Sequence, residues 1–311
     1  MTQKIKNHSR RQLIIGAAAL SLGAGLSSCS SVSEIGDRPK LQNGDFLIEV
    51  DDIKMYCEIS GQGTLLINQT GVWLSSIAGE DALLRPWINE LTKHFRVLSF
   101  DARGQGKTTL GDGPISYGRL AADTVRLMDT LNIPSAHFFG HSDGGCIQLE
   151  LLLHFSDRVK SATLAGTSPN HQSYAPSLRE AFDRWFNDAA ADNTQFRDLE
   201  GSPLSSDALD KMRQHYASNS PHPEKFEEVM RQQRRCWSTE PNISFKQLSI
   251  INKPVLVINA GSDPYIPTES MQAMAAAIPN AERVDYPDLT HDLGPFMGDI
   301  ASAMVGFVGR L

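Results

Sequence analysis

Short apolar runs recur along the chain from residue 46 onward, separated by polar turns and by stretches of helical period. Residues 46–50 and 53–59 read as the two strands of a hairpin that turns at Asp51 and Asp52. Residues 65–67, 96–100, 136–139, 159–165 and 254–260 are apolar enough for buried strands, and residues 283–286 make a short last one. Residues 83–93 look helical. Residues 116–131 carry a helical stripe of Leu120, Thr124, Leu127, Met128 and Leu131, and residues 146–155 suit a buried helix. Phe296, Ile300, Ala303, Met304 and Phe307 share one face of a final helix. Strands alternating with helices predict an α/β fold: a mainly parallel, doubly wound sheet with helices on both faces.

Residues 170 to about 247 break this rhythm. They are polar, charged and helix-prone, with isolated aromatics such as Tyr174, Phe182, Trp185 and Trp237 and no buried-strand pattern. The stretch leaves and rejoins the sheet at strand ends, where open α/β sheets bind ligands, so a helical lid insertion is expected.

The first 28 residues follow another pattern. Lys4, Lys6, Arg10 and Arg11 form a basic start, and an apolar run rich in Ala and Gly follows from Leu13 to Leu26. That run is too short to span a bilayer and suits the core of a signal peptide. The Ser9-Arg10-Arg11-Gln12-Leu13-Ile14 stretch resembles a twin-arginine export signal, and Leu26-Ser27-Ser28-Cys29 resembles a bacterial lipobox, which implies lipidation at Cys29. The expected layout is a signal over 1–28, a polar tether over 29–44 and one α/β domain over 45–311, with the insertion inside it. The protein would be exported to the periplasm or cell surface and touch the membrane through its lipid anchor only. Loss of the four early cations takes the formal charge from −7 to −11, which argues against nucleic acid as a partner. Cys57, Cys146 and Cys236 remain, an odd number at irregular spacing that suggests neither a disulfide framework nor a metal site.

The chemistry centres on Gly140-His141-Ser142-Asp143-Gly144-Gly145, between the strand at 136–139 and the helix at 146–155. A serine flanked by small residues at a strand-to-helix junction is the sequence form of a nucleophile elbow. The turn is tight, and glycine at 140 and 144 avoids a clash across it. A serine hydroxyl needs a base, and the base an orienting carboxylate; in such folds the order is Ser, then Asp or Glu, then His. His154 sits on the helix after the elbow, and His171, His215 and His222 lie in the insertion. His291 alone follows the last strand and is the expected general base. Asp263 ends the strand at 254–260 and is the expected acid; Asp288 and Asp292 are too near His291 on one loop to face it well. The oxyanion hole needs two backbone N–H groups. Asp143, after the nucleophile, supplies one, and Thr70, after the strand at 65–67, is the candidate for the other.

Residues 45–311 resemble the serine hydrolases of the α/β-hydrolase fold. Besides the elbow, Asp101-x-Arg103-Gly104-x-Gly106 matches that family's signature after its fourth strand, and the Asp263 and His291 loops match its acid and base loops. One departure stands out: the family usually has His-Gly where this chain has Asn68-Gln69. The resemblance implies hydrolysis of a small-molecule carboxylic ester, lactone or thioester through an acyl-enzyme, with no cofactor and no metal. It disfavours dehalogenase and epoxide-hydrolase chemistry, which needs aspartate in place of Ser142. Carbon–carbon, amide or peroxide chemistry with the same triad is an alternative, as is a non-catalytic small-molecule binder on the same scaffold. The Gly104-Gln105-Gly106-Lys107-Thr108 stretch is not a phosphate loop, because Asp101 stands where the first glycine belongs. Asp143 has two readings: a carboxylate for a cationic substrate group, or a structural hydrogen-bond acceptor.

Overall fold

A computed structural model of the chain describes residues 41–72, 74–79, 84–190, 196–198 and 202–311. The signal, most of the tether and Cys29 fall on residues 1–40 and lie outside the described residues. Eight strands form one sheet: β1 (Gly44–Val50), β2 (Ile53–Gly61), β3 (Leu65–Gln69), β4 (Arg96–Phe100), β5 (Ala136–His141), β6 (Val159–Ala165), β7 (Val255–Ala260) and β8 (Ala281–Tyr286). Their spatial order is β1-β2-β4-β3-β5-β6-β7-β8. β1 pairs with β2, and β2 with β4, in antiparallel register; every other pair is parallel. The hairpin turn forms at Asp51, whose φ of 57° is tolerated by a short polar side chain.

The uninterrupted apolar runs follow from burial on both faces. Successive strand residues point to opposite sides. Ile67, Leu98, Phe138 and Val257 therefore join one core, while Leu66, Val97, Phe139 and Leu256 join a second. The first core is covered by α2 (Tyr117–Thr130), α3 (Asp143–His154) and α8 (Thr268–Ala277), through Leu127, Ile147, Leu151 and Met274 among others. The second is covered by α1 (Arg85–Leu91) and α9 (Met297–Val308). The Ser116 hydroxyl caps α2 by accepting from the Arg119 N–H, and all five residues of the expected stripe are buried. On α9 the expected stripe packs on the second core, joined by Met297 and Ala301. Met297, Ile300, Ala301, Met304 and Phe307 are buried, while Phe296 precedes the helix and Ala303 is only partly buried. Both Phe296 and Ala303 pack against the second core all the same.

Among the described residues between β6 and β7 stand four α-helices: α4 (Pro176–Ala190), α5 (Ser206–Asn219), α6 (Phe226–Thr239) and α7 (Phe245–Leu248). The chain leaves and returns through one neck. Asn170 bridges Asn242, the Ile243 N–H donates to the Pro169 carbonyl (2.8 Å), and the Asn170 amide donates to the Ile243 carbonyl (3.0 Å). Above the neck α4 and α6 pack through aromatic rings, with Trp185 and Trp237 5.7 Å apart. Cys57, Cys146 and Cys236 are free and buried. Among the described residues no helix is long and apolar enough to cross a membrane, and no cluster of acidic, histidine and cysteine side chains is arranged to hold a metal.

Candidate active site

β5 delivers its last residue, His141, to the C-terminal edge of the sheet, and α3 begins two residues later. Ser142 between them has φ 54° and ψ −119°, a left-handed conformation that L-residues adopt only when the surroundings enforce it. The surroundings are close. A Cβ at Gly140 would lie 2.6 Å from the Gly144 backbone, and a Cβ at Gly144 would lie 2.1 Å from the Gln69 carbonyl oxygen. The Ser142 N–H donates to the Ala165 carbonyl (3.0 Å), and the Thr167 hydroxyl donates to the Ser142 carbonyl (2.8 Å).

The loops after β7 and β8 bring Asp263 and His291 to this serine. They are tied together where the Ser262 N–H donates to the Leu289 carbonyl (2.9 Å). Asp263 Oδ1 accepts from the N–H groups of Tyr265 (2.8 Å) and Ile266 (3.1 Å). Its Oδ2 lies 2.7 Å from His291 Nδ1, with the carboxylate fully buried. A carboxylate accepts only, so Nδ1 carries the proton and Nε2 turns a lone pair toward Ser142 Oγ, 3.1 Å away. The His291 ring is held from two sides, 4.6 Å from the His141 ring and 5.1 Å from the Tyr265 ring. His141 in turn meets Trp87 edge-on at 5.1 Å. Burial, reinforced by His291, holds the His141 pKa well below the usual histidine range, so this ring is neutral.

Two cavities meet at His291. The larger, about 320 Å³, is bordered by Thr70, Gly71, Trp87, His141 and Asp292; the smaller, about 70 Å³, by Ser142, Leu178, Phe182, Trp237 and Tyr265. Leu178, Phe182 and Trp237 belong to the insertion, so the four-helix segment supplies part of the wall around the serine.

The Asn68-Gln69 departure is absorbed by partners. The Asn68 amide donates to the Ser99 hydroxyl (3.1 Å), and the Thr124 hydroxyl donates to Gln69 Oε1 (2.9 Å). The Thr70 hydroxyl donates to the Phe100 carbonyl (2.6 Å), which fixes the loop's direction as it leaves β3. Asp143 borders the small cavity as well. Its buried carboxylate accepts from the Tyr117 hydroxyl (2.6 Å), the Trp237 indole N–H (2.9 and 3.0 Å) and the Val72 N–H (3.3 Å). Burial raises its pKa, opposed by these hydrogen bonds. Sequence reasoning named Trp237 only as one aromatic among several; its tie to Asp143 has no local signal.

The family model described as the alpha/beta hydrolase fold matches residues 77–294. The chain belongs to the α/β-hydrolase fold family. Within it, this α/β-hydrolase is 27% identical over 238 residues to a Serratia proteamaculans (strain 568) protein named "Putative carbamate hydrolase RutD", a match covering 73% of this chain and 85% of that one. A relative of the same name from Azorhizobium caulinodans is 34% identical over 113 residues; this match spans 36% of the chain and less than half, 41%, of the relative. A hydrolase structure from Pseudomonas aeruginosa PA01 superposes with a TM-score of 0.64 at 24% identity, over 85% of this α/β-hydrolase and 98% of its own length.

Proposed function

We propose that the protein is a serine hydrolase that cleaves a carboxylic ester, lactone or thioester through an acyl-enzyme. The observation that carries this reading is the continuous Asp263–His291–Ser142 contact, 2.7 Å and then 3.1 Å, at a strained strand-to-helix turn. In this reading His291 Nε2 takes the Ser142 proton as Oγ attacks the carbonyl carbon, and Asp263 steadies the imidazolium that forms. The Thr70 and Asp143 N–H groups receive the oxyanion, the latter helped by the N-terminus of α3. His291 then returns the proton to the leaving group and activates a water that releases the acid. The insertion acts as a lid whose Leu178, Phe182 and Trp237 shape one side of the site. Residues 1–28 serve for export and Cys29 for lipid anchoring.

The carbamate-hydrolase name of the relatives favours a second substrate class, since a carbamate carbonyl meets the same machinery. The test is intact-mass spectrometry after a fluorophosphonate, with peptide mapping. A single adduct on Ser142 that disappears in His291→Ala supports the mechanism. No adduct on folded protein that still binds small molecules would favour a binding protein. Matched aryl esters and carbamates, assayed on wild type and on Ser142→Ala, separate the two substrate classes.

A further inference from the structure

The two oxyanion donors of the proposed reaction come from different loops: Thr70 follows β3 and Asp143 follows β5. Side chains that reach across set where these loops stand. The Thr70 hydroxyl fastens the start of the first loop to the Phe100 carbonyl (2.6 Å). Two residues on, both backbone polar groups of Val72 are held by side chains. The Val72 N–H donates to Asp143 Oδ2 (3.3 Å), and the Val72 carbonyl accepts from Gln233 Nε2 of α6. A backbone carbonyl only accepts, which fixes the amide nitrogen of Gln233 as the atom facing it. Val72 and Gln233 are both buried. The loop that carries Thr70 is therefore tied to the elbow on one side and to the insertion on the other.

Gln233 and Trp237 lie four residues apart on α6, about one turn, and so share a face of the helix. Gln233 meets the loop after β3, while the Trp237 indole N–H meets the Asp143 carboxylate (2.9 and 3.0 Å). The helix is seated on the rest of the domain at two further points. The Ile115 N–H donates to Gln232 Oε1 (2.9 Å), and the Tyr117 N–H donates to Glu240 Oε2 just beyond the end of α6 (2.7 Å). The Tyr117 hydroxyl closes the circuit by donating to Asp143 (2.6 Å). A buried carbonyl stripped of its donor is costly to keep, so without the Gln233 amide the Val72 peptide would turn toward another donor and carry the loop with it. Oxyanion donors act only where they are placed in advance, and a shift of about 1 Å is enough to lose much of their effect.

We propose that Gln233 is a positioning residue for the oxyanion hole: by holding the Val72 carbonyl it sets where the Thr70 N–H stands relative to that of Asp143. One side chain of the insertion then serves the reaction itself and not only the wall around it. The proposal rests on the reading of Ser142 as nucleophile and of Thr70 and Asp143 as oxyanion donors. The probe is diisopropyl fluorophosphate on the full chain, with the labelling rate resolved into kinact and KI. In that step Ser142 Oγ bonds to phosphorus, its proton passes to His291, fluoride leaves, and the phosphoryl oxygen occupies the oxyanion hole. Gln233→Met keeps the length of the side chain and removes the donor. It should lower kinact at least about tenfold and leave KI within about twofold, because the hole acts on charge that develops only in the transition state. Gln233→Asn keeps the amide but falls short of Val72 and should do the same, which tests the proposal even where Gln233→Met folds poorly. Gln232→Met removes the neighbouring contact of the same helix, to Ile115, and should leave both constants unchanged, which separates positioning from general support of α6. An unchanged kinact in the Gln233 variants, a loss confined to KI, or an equal loss in Gln232→Met would overturn the proposal while wild type still labels at Ser142. Folded wild type that does not label at Ser142 would overturn the underlying reading and the proposal with it.

Discussion

Replacing Asp143 with asparagine tests how the residue after Ser142 is held. Three donors converge on its carboxylate, from Tyr117, Trp237 and Val72. An amide offers one oxygen with two lone pairs, so at most two donors stay satisfied and the third meets an N–H₂ group. Losing one hydrogen bond to a charged acceptor costs about 1.5–3 kcal/mol. Part of that returns, because burial already disfavours the charge, as the raised pKa of Asp143 records. A net loss of about 1–2 kcal/mol corresponds to a melting midpoint about 2–8 °C lower for a domain of this size. Calorimetry measures that shift, and an unchanged midpoint would refute the count of donors. The same variant should lose kcat/KM by one common factor on matched esters with and without an α-amino group, since both carboxylate oxygens are already engaged within the protein. A loss more than about tenfold greater on the amino ester would show the carboxylate to be a subsite for a substrate cation and not a structural acceptor.

Arg103→Met removes both hydrogen bonds that the buried Asp123 accepts from the guanidinium it shares with Asp52, leaving Arg119 (3.7 Å) and Arg126 (4.0 Å) as its cations, and should cost about 3 kcal/mol in urea unfolding. Adding Asp123→Leu should recover part of the loss, and full additivity in that cycle would argue against coupling. Arg103 also holds the Asp52 carboxyl well below the usual carboxylate range, giving stability at neutral pH that is lost as pH falls below about 4. Arg103→Met should therefore lose less on acidification than wild type. Gly144→Ala forces a methyl to within 2.1 Å of the Gln69 carbonyl and should lower the melting midpoint and fluorophosphonate labelling together. Normal labelling would mean that the end of β3 yields without disturbing the serine.

The parallel sheet was legible because strands buried on both faces are largely apolar, as residues 65–67 and 255–258 are. The meeting of Ser142, Asp263 and His291 was legible from chain order, since each follows a strand whose end lies on the same edge of the sheet. Where a side chain's partner is remote in sequence, no local pattern reveals it. Asp143 binds Tyr117 and Trp237, 26 and 94 residues away, and its role could be stated only as two alternatives. The Arg103 motif was visible, but not that Asp52 and Asp123 share its guanidinium. The Asn68-Gln69 departure looked like a threat to the loop. Ser99 and Thr124, on elements packed against β3, supply what those two side chains need.

The three cysteines of the described fold have a consequence for its life history. Cys57, Cys146 and Cys236 are buried, and burial pushes every one of these thiols up, Cys146 to about 12. A thiol that stays protonated and out of reach neither attacks a disulfide nor is readily oxidised. The described fold therefore keeps one covalent form in reducing and oxidising compartments alike, and its maturation calls for neither a thiol oxidase nor a disulfide isomerase.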